Sequence, residues 1–291
     1  MNKQIAQKPK FSVAIRTDGY KNLINNTLGD PERAKRFVAA ISSAVATNQA
    51  LQECDAGTIL SGGLLGESLN LSPSPQLGQY YLVPFNDKKS GGKKAQFILG
   101  YKGYIQLALR SGQYSDLDVM EIREGEYLGK DCTTGKPKFK FIEDDEIREN
   151  LPVIGYMAFF EYLNGFKKVL YWSKQKVIIH ADKYSPAFSA KTYEKYIAGE
   201  IPNNELWKYS SHWYQNFDDM AKKTMLRQLI SRWGVMSTQM QTALETDSNV
   251  VTLDENNEIV TTPENMLEEN AEEIKPDFEG VEDEEVNLNN I

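Results

Sequence analysis

Apolar positions recur at helical spacing early in the chain, at strand spacing through its middle, and at helical spacing again before they fade out. Asp30-Pro31-Glu32 opens the first clear helix, with Asp30 suited to cap and Pro31 to the first turn. Phe37, Val38, Ile41, Ala44 and Val45 then repeat every three or four residues to about Asn48. A second helix is predicted from Asp55 to about Leu69, with Ile59, Leu60, Leu64 and Leu65 facing inward. Gly62, Gly63 and Gly66 weaken it or permit close packing. Residues 1–29 are polar and turn-rich and read as an arm, either mobile or docked elsewhere.

The middle of the chain reads as hairpins. Gln79–Phe85 and Ala95–Gly100 flank a glycine-bearing, lysine-rich loop over Lys88–Lys94, and Pro84 places its strand at an edge. Leu117–Arg123 and Lys136–Phe141 are further strands, the latter with Lys136, Lys138 and Lys140 on one face. Two aromatic runs over Pro152–Trp172 surround Asn164-Gly165, the signature of a two-residue type I′ turn. Helices follow over Ser173 to about Asp182, within 187–199, and from 205–210 to Trp233, where Gly234 suits a left-handed helix end. Everything after about residue 245 reads as disordered when alone.

Charge changes this picture. The net charge is −8, yet Glu245 to the C-terminus holds sixteen acidic residues against one base, Lys275. That segment carries −15 and residues 1–244 carry +7. A basic body with an acidic tail points to a polyanion-binding body, and to a tail that solvates, competes or recruits. No apolar run is long enough for a membrane span, and the N-terminus has no signal-like apolar region. Cys54 and Cys132 read as two reduced thiols, and the two histidines, His180 and His212, lack metal-ligand spacing.

Catalytic motifs are scarce. Gly62-Gly63-Leu64-Leu65-Gly66-Glu67-Ser68 places Glu where a phosphate-binding loop needs Lys, which disfavours ATP-driven chemistry. Asp116, Asp118 and Glu121 suit either a Mg²⁺ site of nuclease type or a solvated strand face. Binding chemistry is easier to find. Gly100-Tyr-Lys-Gly-Tyr-Ile-Gln-Leu-Ala-Leu-Arg-Ser-Gly112 leaves a strand and starts a helix, whose N-terminus suits phosphate. Lys102, Gln106 and Arg110 share one face, and Tyr101 and Tyr104 are positioned to stack on bases or to fill core.

The second basic stretch is MAKKTMLRQLISRW, residues 220–233. On a helix Lys223 and Arg227 lie one turn apart, with Trp213, Phe217, Met220, Ala221, Met225 and Leu229 covering much of the opposite side. Lys222 falls among packed neighbours, where it must snorkel or meet an anion.

GYKGYIQLALRSG, the aromatic hairpin and W-x-x-x-F-x-x-MAKKTMLRQL together resemble the phage RecT family of single-strand DNA annealing proteins, over roughly residues 25–240. The resemblance implies an α+β fold: a strand-rich antiparallel core with hairpins, packed against helices that include the long basic one near 210–234. It divides the chain into an arm (1–29), a DNA-binding and oligomerisation core (30–240) and an acidic, mostly disordered tail with a partner-binding segment (241–291). It implies no catalysis, only ATP-independent annealing of complementary single strands in phage recombination, with no cofactor beyond Mg²⁺ assisting pairing. Its partners would be single-stranded DNA and the annealed duplex intermediate, further copies in a ring or helical filament, a phage exonuclease and the host single-strand binding protein, all in the bacterial cytoplasm. Carried onto this chain, Lys102, Arg110, Lys222, Lys223 and Arg227 become DNA-groove residues and Tyr101 and Tyr104 stackers. Removal of residues 245–291 is expected to leave annealing intact. A module that protects single strands without pairing them is the competing reading.

Overall fold

The first elements are helices, and their caps and apolar faces explain them. The computed structural model describes residues 10–87, 92–254 and 259–261. Helices α1 (Phe11–Ala14) and α2 (Asp18–Leu28) occupy part of the segment read as an arm. They send Phe11, Ile15 and Ile24 into the core, so residues 10–28 pack with the body. In α3 (Pro31–Thr47) the Asp30 carboxylate accepts from the Glu32 and Arg33 amides at 2.8 and 3.2 Å, satisfying two otherwise orphaned donors. Phe37, Ile41 and Val45 line its buried face. A 3₁₀ turn (Gln49–Glu53) leads to α4 (Ala56–Ser68), which is buried nearly all round. Its glycines allow that burial: a Cβ on Gly66 would lie 2.3 Å from the Tyr80 ring, and one on Gly63 would lie 3.0 Å from Ile41.

The hairpin of β1 (Tyr80–Asp87) and β2 (Gly92–Leu99) runs in register from Tyr80 opposite Leu99 to Asp87 opposite Gly92. Pro84 does lie on an edge strand, since among the described residues β2 is the only strand paired with β1. Of the lysine-rich tip, Lys88, Lys89, Ser90 and Gly91 lie outside the described residues. Helix α5 (Tyr101–Arg110) follows at once, then β3 (Tyr114–Arg123), the short hairpin β4 (Tyr127–Lys130) and β5 (Pro137–Phe139), and α6 (Asp145–Glu149). Strands β6 (Val153–Tyr162) and β7 (Lys167–Ser173) complete a three-stranded antiparallel sheet in the order β3-β6-β7. Their turn differs from the expected type I′. Gly165 alone adopts a left-handed φ, +84°, and its amide donates to the Tyr162 carbonyl at 2.8 Å. The loop is the three-residue kind with glycine at the left-handed position.

Helices α7 (Lys174–Tyr184) and α8 (Ala190–Ile197), a 3₁₀ segment (Asn203–Tyr209) and α9 (His212–Gln215) lead to α10 (Phe217–Trp233). This helix lies across the inner face of the second sheet. The Tyr156 hydroxyl donates to Asp218, and the Tyr162 hydroxyl donates to the Trp233 carbonyl at 2.6 Å. Ala221, Met225, Leu226, Leu229 and Ile230 are wholly buried. Gly234 is extended (φ −80°), not left-handed; a Cβ there would meet the Ile230 carbonyl oxygen at 2.7 Å.

The tail begins later than its charge suggested. Helix α11 (Thr238–Thr246) is followed by β8 (Asn249–Leu253), which pairs with β2, and β9 (Ile259–Thr261), which pairs with β8. The first sheet therefore runs β1-β2-β8-β9. Ser248 turns the chain between α11 and β8 with a left-handed φ of +64°, and its amide donates to the Phe97 carbonyl at 2.8 Å. Val250 and Val251 are buried in the core. The apolar burial of two valines outweighs the acidic context in which they occur. Residues from 262 onward lie outside the described residues.

A chain ended after Leu244 should therefore lose more than about 5 kcal/mol, from two buried valines and from Lys223 left without its buried partner Asp247. A chain ended after Thr261 keeps Asp247 and both valines and should be spared this loss. Thermal denaturation followed by circular dichroism separates the two outcomes.

Candidate nucleic-acid interface

The Gly-Tyr-Lys-Gly-Tyr stretch enters α5 through two backbone contacts. A Cβ on Gly100 would lie 2.1 Å from the Gly78 carbonyl oxygen, and one on Gly103 would lie 2.2 Å from that of Gln79. These glycines let the helix start pack directly on the entry to β1. Tyr101 is half-buried and Lys102 exposed, with the Lys102 ammonium 5.8 Å from the Tyr101 ring centre. Arg110, at the far end of α5, donates to the Leu69 and Asn70 carbonyls, both at 2.7 Å, and so closes the C-terminus of α4. Tyr104 is fully buried and offers no face to a base. Its hydroxyl donates to Asp247 Oδ2 at 3.1 Å, and burial holds its pKa far above the ordinary tyrosine value.

Asp247 organises the basic residues of α10. Its side chain is 1% exposed. One oxygen accepts from the Lys223 ammonium at 2.8 Å and the Leu99 amide at 2.9 Å. The other accepts from Arg227 at 3.1 Å and from Tyr104. Burial alone would raise the Asp247 pKa, but Lys223 and Arg227 hold it below the ordinary aspartate value. Lys223 is itself buried, which the helical pattern did not reveal. The anion that Lys222 required is Glu121 Oε1, at 2.9 Å; burial works against the Lys222 charge, but this pairing outweighs it and the pKa rises.

Between the first sheet and the helices lies a cleft of about 970 Å³. One wall is the outer face of the β1-β2 hairpin, with Val83, Phe85, Gln96 and Ile98. The other comprises α7, the stretch after it and the 3₁₀ segment, with His180, Tyr184, Pro186, Lys208 and Ser210. Lys223, Arg227 and Asp247 line it as well. Lys94 and Lys208 stand on opposite walls, paired with Asp87 at 2.7 Å and Glu205 at 3.3 Å respectively. Four cations thus line the cleft against the carboxylates of Asp87 and Asp247. A smaller depression of about 320 Å³ shares Ile98, His212, Met220 and Lys223 with it and extends to Tyr101 and Tyr81. Through these shared residues the start of α5, at Tyr101, and the middle of α10 border one groove, whereas Lys102, Tyr104, Arg110 and Lys222 do not line it.

Sequence reasoning missed Lys94, Lys208, Asp247 and both histidines as lining residues. Only the Val-Val-Thr-Leu run after Asp247 signalled that this region was not tail. His180 sits between the Trp172 and Tyr184 rings, with centroids 5.2 and 4.6 Å away. Burial, helped by Lys176 and Arg227, pushes its pKa down to about 4. Burial and Lys223 also lower that of His212. The acidic residues of β3 do not converge. Asp116 and Asp118 share one face, whereas Glu121 points to the other and is held by Lys222 and by Arg123 at 2.9 Å. Among the described residues no three His, Cys, Asp or Glu side chains are grouped to hold a metal ion, and no helix is long and apolar enough to cross a membrane.

Two predictions follow from this geometry. Asp247→Ala takes the carboxylate from buried Lys223 and from part-buried Arg227 and should cost about 3–5 kcal/mol of stability in denaturant unfolding. His180 binds a proton near pH 6.5 when unfolded but only near pH 4 when folded. Its contribution to stability is full above pH 6.5 and is lost as pH falls towards 4. At pH 5 the loss should be about 2 kcal/mol. Melting temperature should fall from pH 7 to pH 5, and fall less in His180→Gln.

Residues 35–268 match the RecT family. The chain is 37% identical over 228 residues to the uncharacterized protein YqaK of Bacillus subtilis (strain 168), covering 78% of this chain and 69% of YqaK. It is 29% identical over 243 residues to Protein RecT of Escherichia coli (strain K12), covering 82% and 81% of the two chains. The chain belongs to the RecT family, whose general activity is single-strand annealing in DNA recombination.

Proposed function

We propose that the chain binds single-stranded DNA along the groove between the first sheet and α10, and anneals complementary strands without ATP. The observation that carries this reading is the convergence of Lys94, Lys208, Lys223 and Arg227 on one cleft that continues to Tyr101. Annealing requires that backbone charge be neutralised while base edges stay available for pairing. Lysine and arginine contacts to phosphate do this, because they carry no sequence information.

The cations divide into two kinds. Lys223 and Arg227 are fixed by Asp247 and supply a rigid positive floor of reduced net charge. Lys94 and Lys208 stand on the walls with partly exposed side chains and can exchange their carboxylate partners for phosphate. Lys102 and Tyr101 would extend the grip at one end. A single groove holds few nucleotides, so alignment of long strands calls for repeated copies in a ring or filament. The acidic tail would recruit a nuclease or a host single-strand binding protein.

The test mixes dye-labelled complementary oligonucleotides with protein and no nucleotide triphosphate. Accelerated pairing with intact strands supports annealing; protected but unpaired strands support a plain binding module, and fragments a nuclease. Lys94→Ala with Lys208→Ala should weaken single-strand binding at any sequence. If each contacts one phosphate, the double variant should flatten the slope of log affinity against log salt by about 1.4. This pair is the cleaner probe, since Lys223→Ala and Arg227→Ala also disturb the buried Asp247 cluster.

A further inference from the structure

Four tryptophans occur in the chain, and three have evident structural work. Trp213 is buried in the core. Trp172 packs beside His180, and the Lys176 ammonium lies 4.5 Å from its ring centre. Trp233 sits beneath the Lys168 ammonium at 4.2 Å, and its carbonyl accepts from Tyr162. Trp207 differs. It is 72% exposed, more than any other large apolar side chain among the described residues. It lies on the 3₁₀ segment Asn203–Tyr209, immediately before Lys208, Ser210, Ser211, His212 and Trp213, all of which line the cleft. The Lys208 ammonium is 5.9 Å from the Trp207 ring centre. Among the described residues, the most exposed large ring therefore stands beside the cationic cleft, next to a lysine that lines it.

We propose that Trp207 is a nucleobase-stacking site: one base of a single strand held in the cleft lies on its indole while Lys208 meets the adjoining phosphate. The chemistry fits the position. An indole face stacks on any of the four bases, and stacking leaves the base's pairing edge unblocked. A ring exposed to water on most of its surface gains by covering that surface with a flat apolar partner. Such a contact at the rim would turn one base outward while the cleft retains the backbone. The inference rests on the single-strand reading above, and it assigns a base contact to the Lys208 side of a cleft explained so far by phosphate.

The experiment compares the wild-type chain, Trp207→Ala and Trp207→Phe. Each is titrated by fluorescence anisotropy against a labelled 30-nucleotide single strand and against an abasic strand of equal length and charge. Trp207→Ala should weaken binding to the normal strand by roughly 5- to 150-fold, with Trp207→Phe recovering most of the loss, and should bind the abasic strand as tightly as wild type does. Indole fluorescence should be quenched by the normal strand in wild type and much less in Trp207→Phe. Unchanged affinity and unchanged quenching in the variants would overturn the proposal. So would an equal loss on the abasic strand, or a shift in DNA-free oligomeric state on size-exclusion chromatography, which would assign Trp207 to a contact between copies. A wild-type chain that binds neither strand would instead overturn the single-strand reading itself.

Discussion

A carboxylate that is almost wholly out of water has to be answered by charge and hydrogen bonds, and the answer to Asp247 holds this molecule together. Its two oxygens collect the Leu99 amide, the Tyr104 hydroxyl, Lys223 and Arg227, from the end of β2, from α5 and from α10. The carboxylate would be costly to bury alone, and its removal would take an acceptor from all four donors at once. The cluster thereby ties the first sheet to the long helix, whose Lys223 and Arg227 form the floor of the cleft. A lysine and an arginine on a free helix would sweep broad arcs. Here their charged ends are held to one carboxylate, with the loss of side-chain entropy already incurred on folding.

The same cluster sets how positive the groove is. A site lined only by unpaired cations would repel itself and bind any polyanion strongly. Asp247 offsets one charge at the floor, leaving the walls to respond to salt and to the ligand. Tight grip would hinder strand exchange, so a moderated field suits a protein of the annealing family, whose bound strand must remain able to find its complement.

Much of the fold was legible in the sequence, because local chemistry dictated it. Asp30-Pro31 fixes a helix start by capping, and the hairpins of Tyr80–Leu99 and Val153–Ser173 follow from apolar, aromatic runs around turn residues. The candidate site was less legible. A helical pattern shows that Lys223 and Arg227 share a face, but not what covers that face. The covering group was an aspartate 24 residues beyond Lys223, within a segment whose acidity marked it as tail. Tyr104 looks like its neighbour Tyr101 in sequence, yet one fills core and the other meets the groove, a difference that only long-range packing decides. Lys94 and Lys208 belong to segments remote in sequence, so only the folded chain brings them to one cleft.

The position of β8 inside its sheet has a consequence for how the protein comes into being. The strand lies between β2 and β9, and the Leu99–Asp247 hydrogen bond closes a separation of 148 residues. During synthesis, residues 1–244 emerge with their full complement of basic side chains before the counter-charge and the closing strand exist. Pairings of such long sequence separation are formed late, because the entropy of loop closure must be met before they stabilise anything. The groove is therefore finished last: until β8 docks, β2 lacks its neighbour on that side and Lys223 lacks the Asp247 carboxylate.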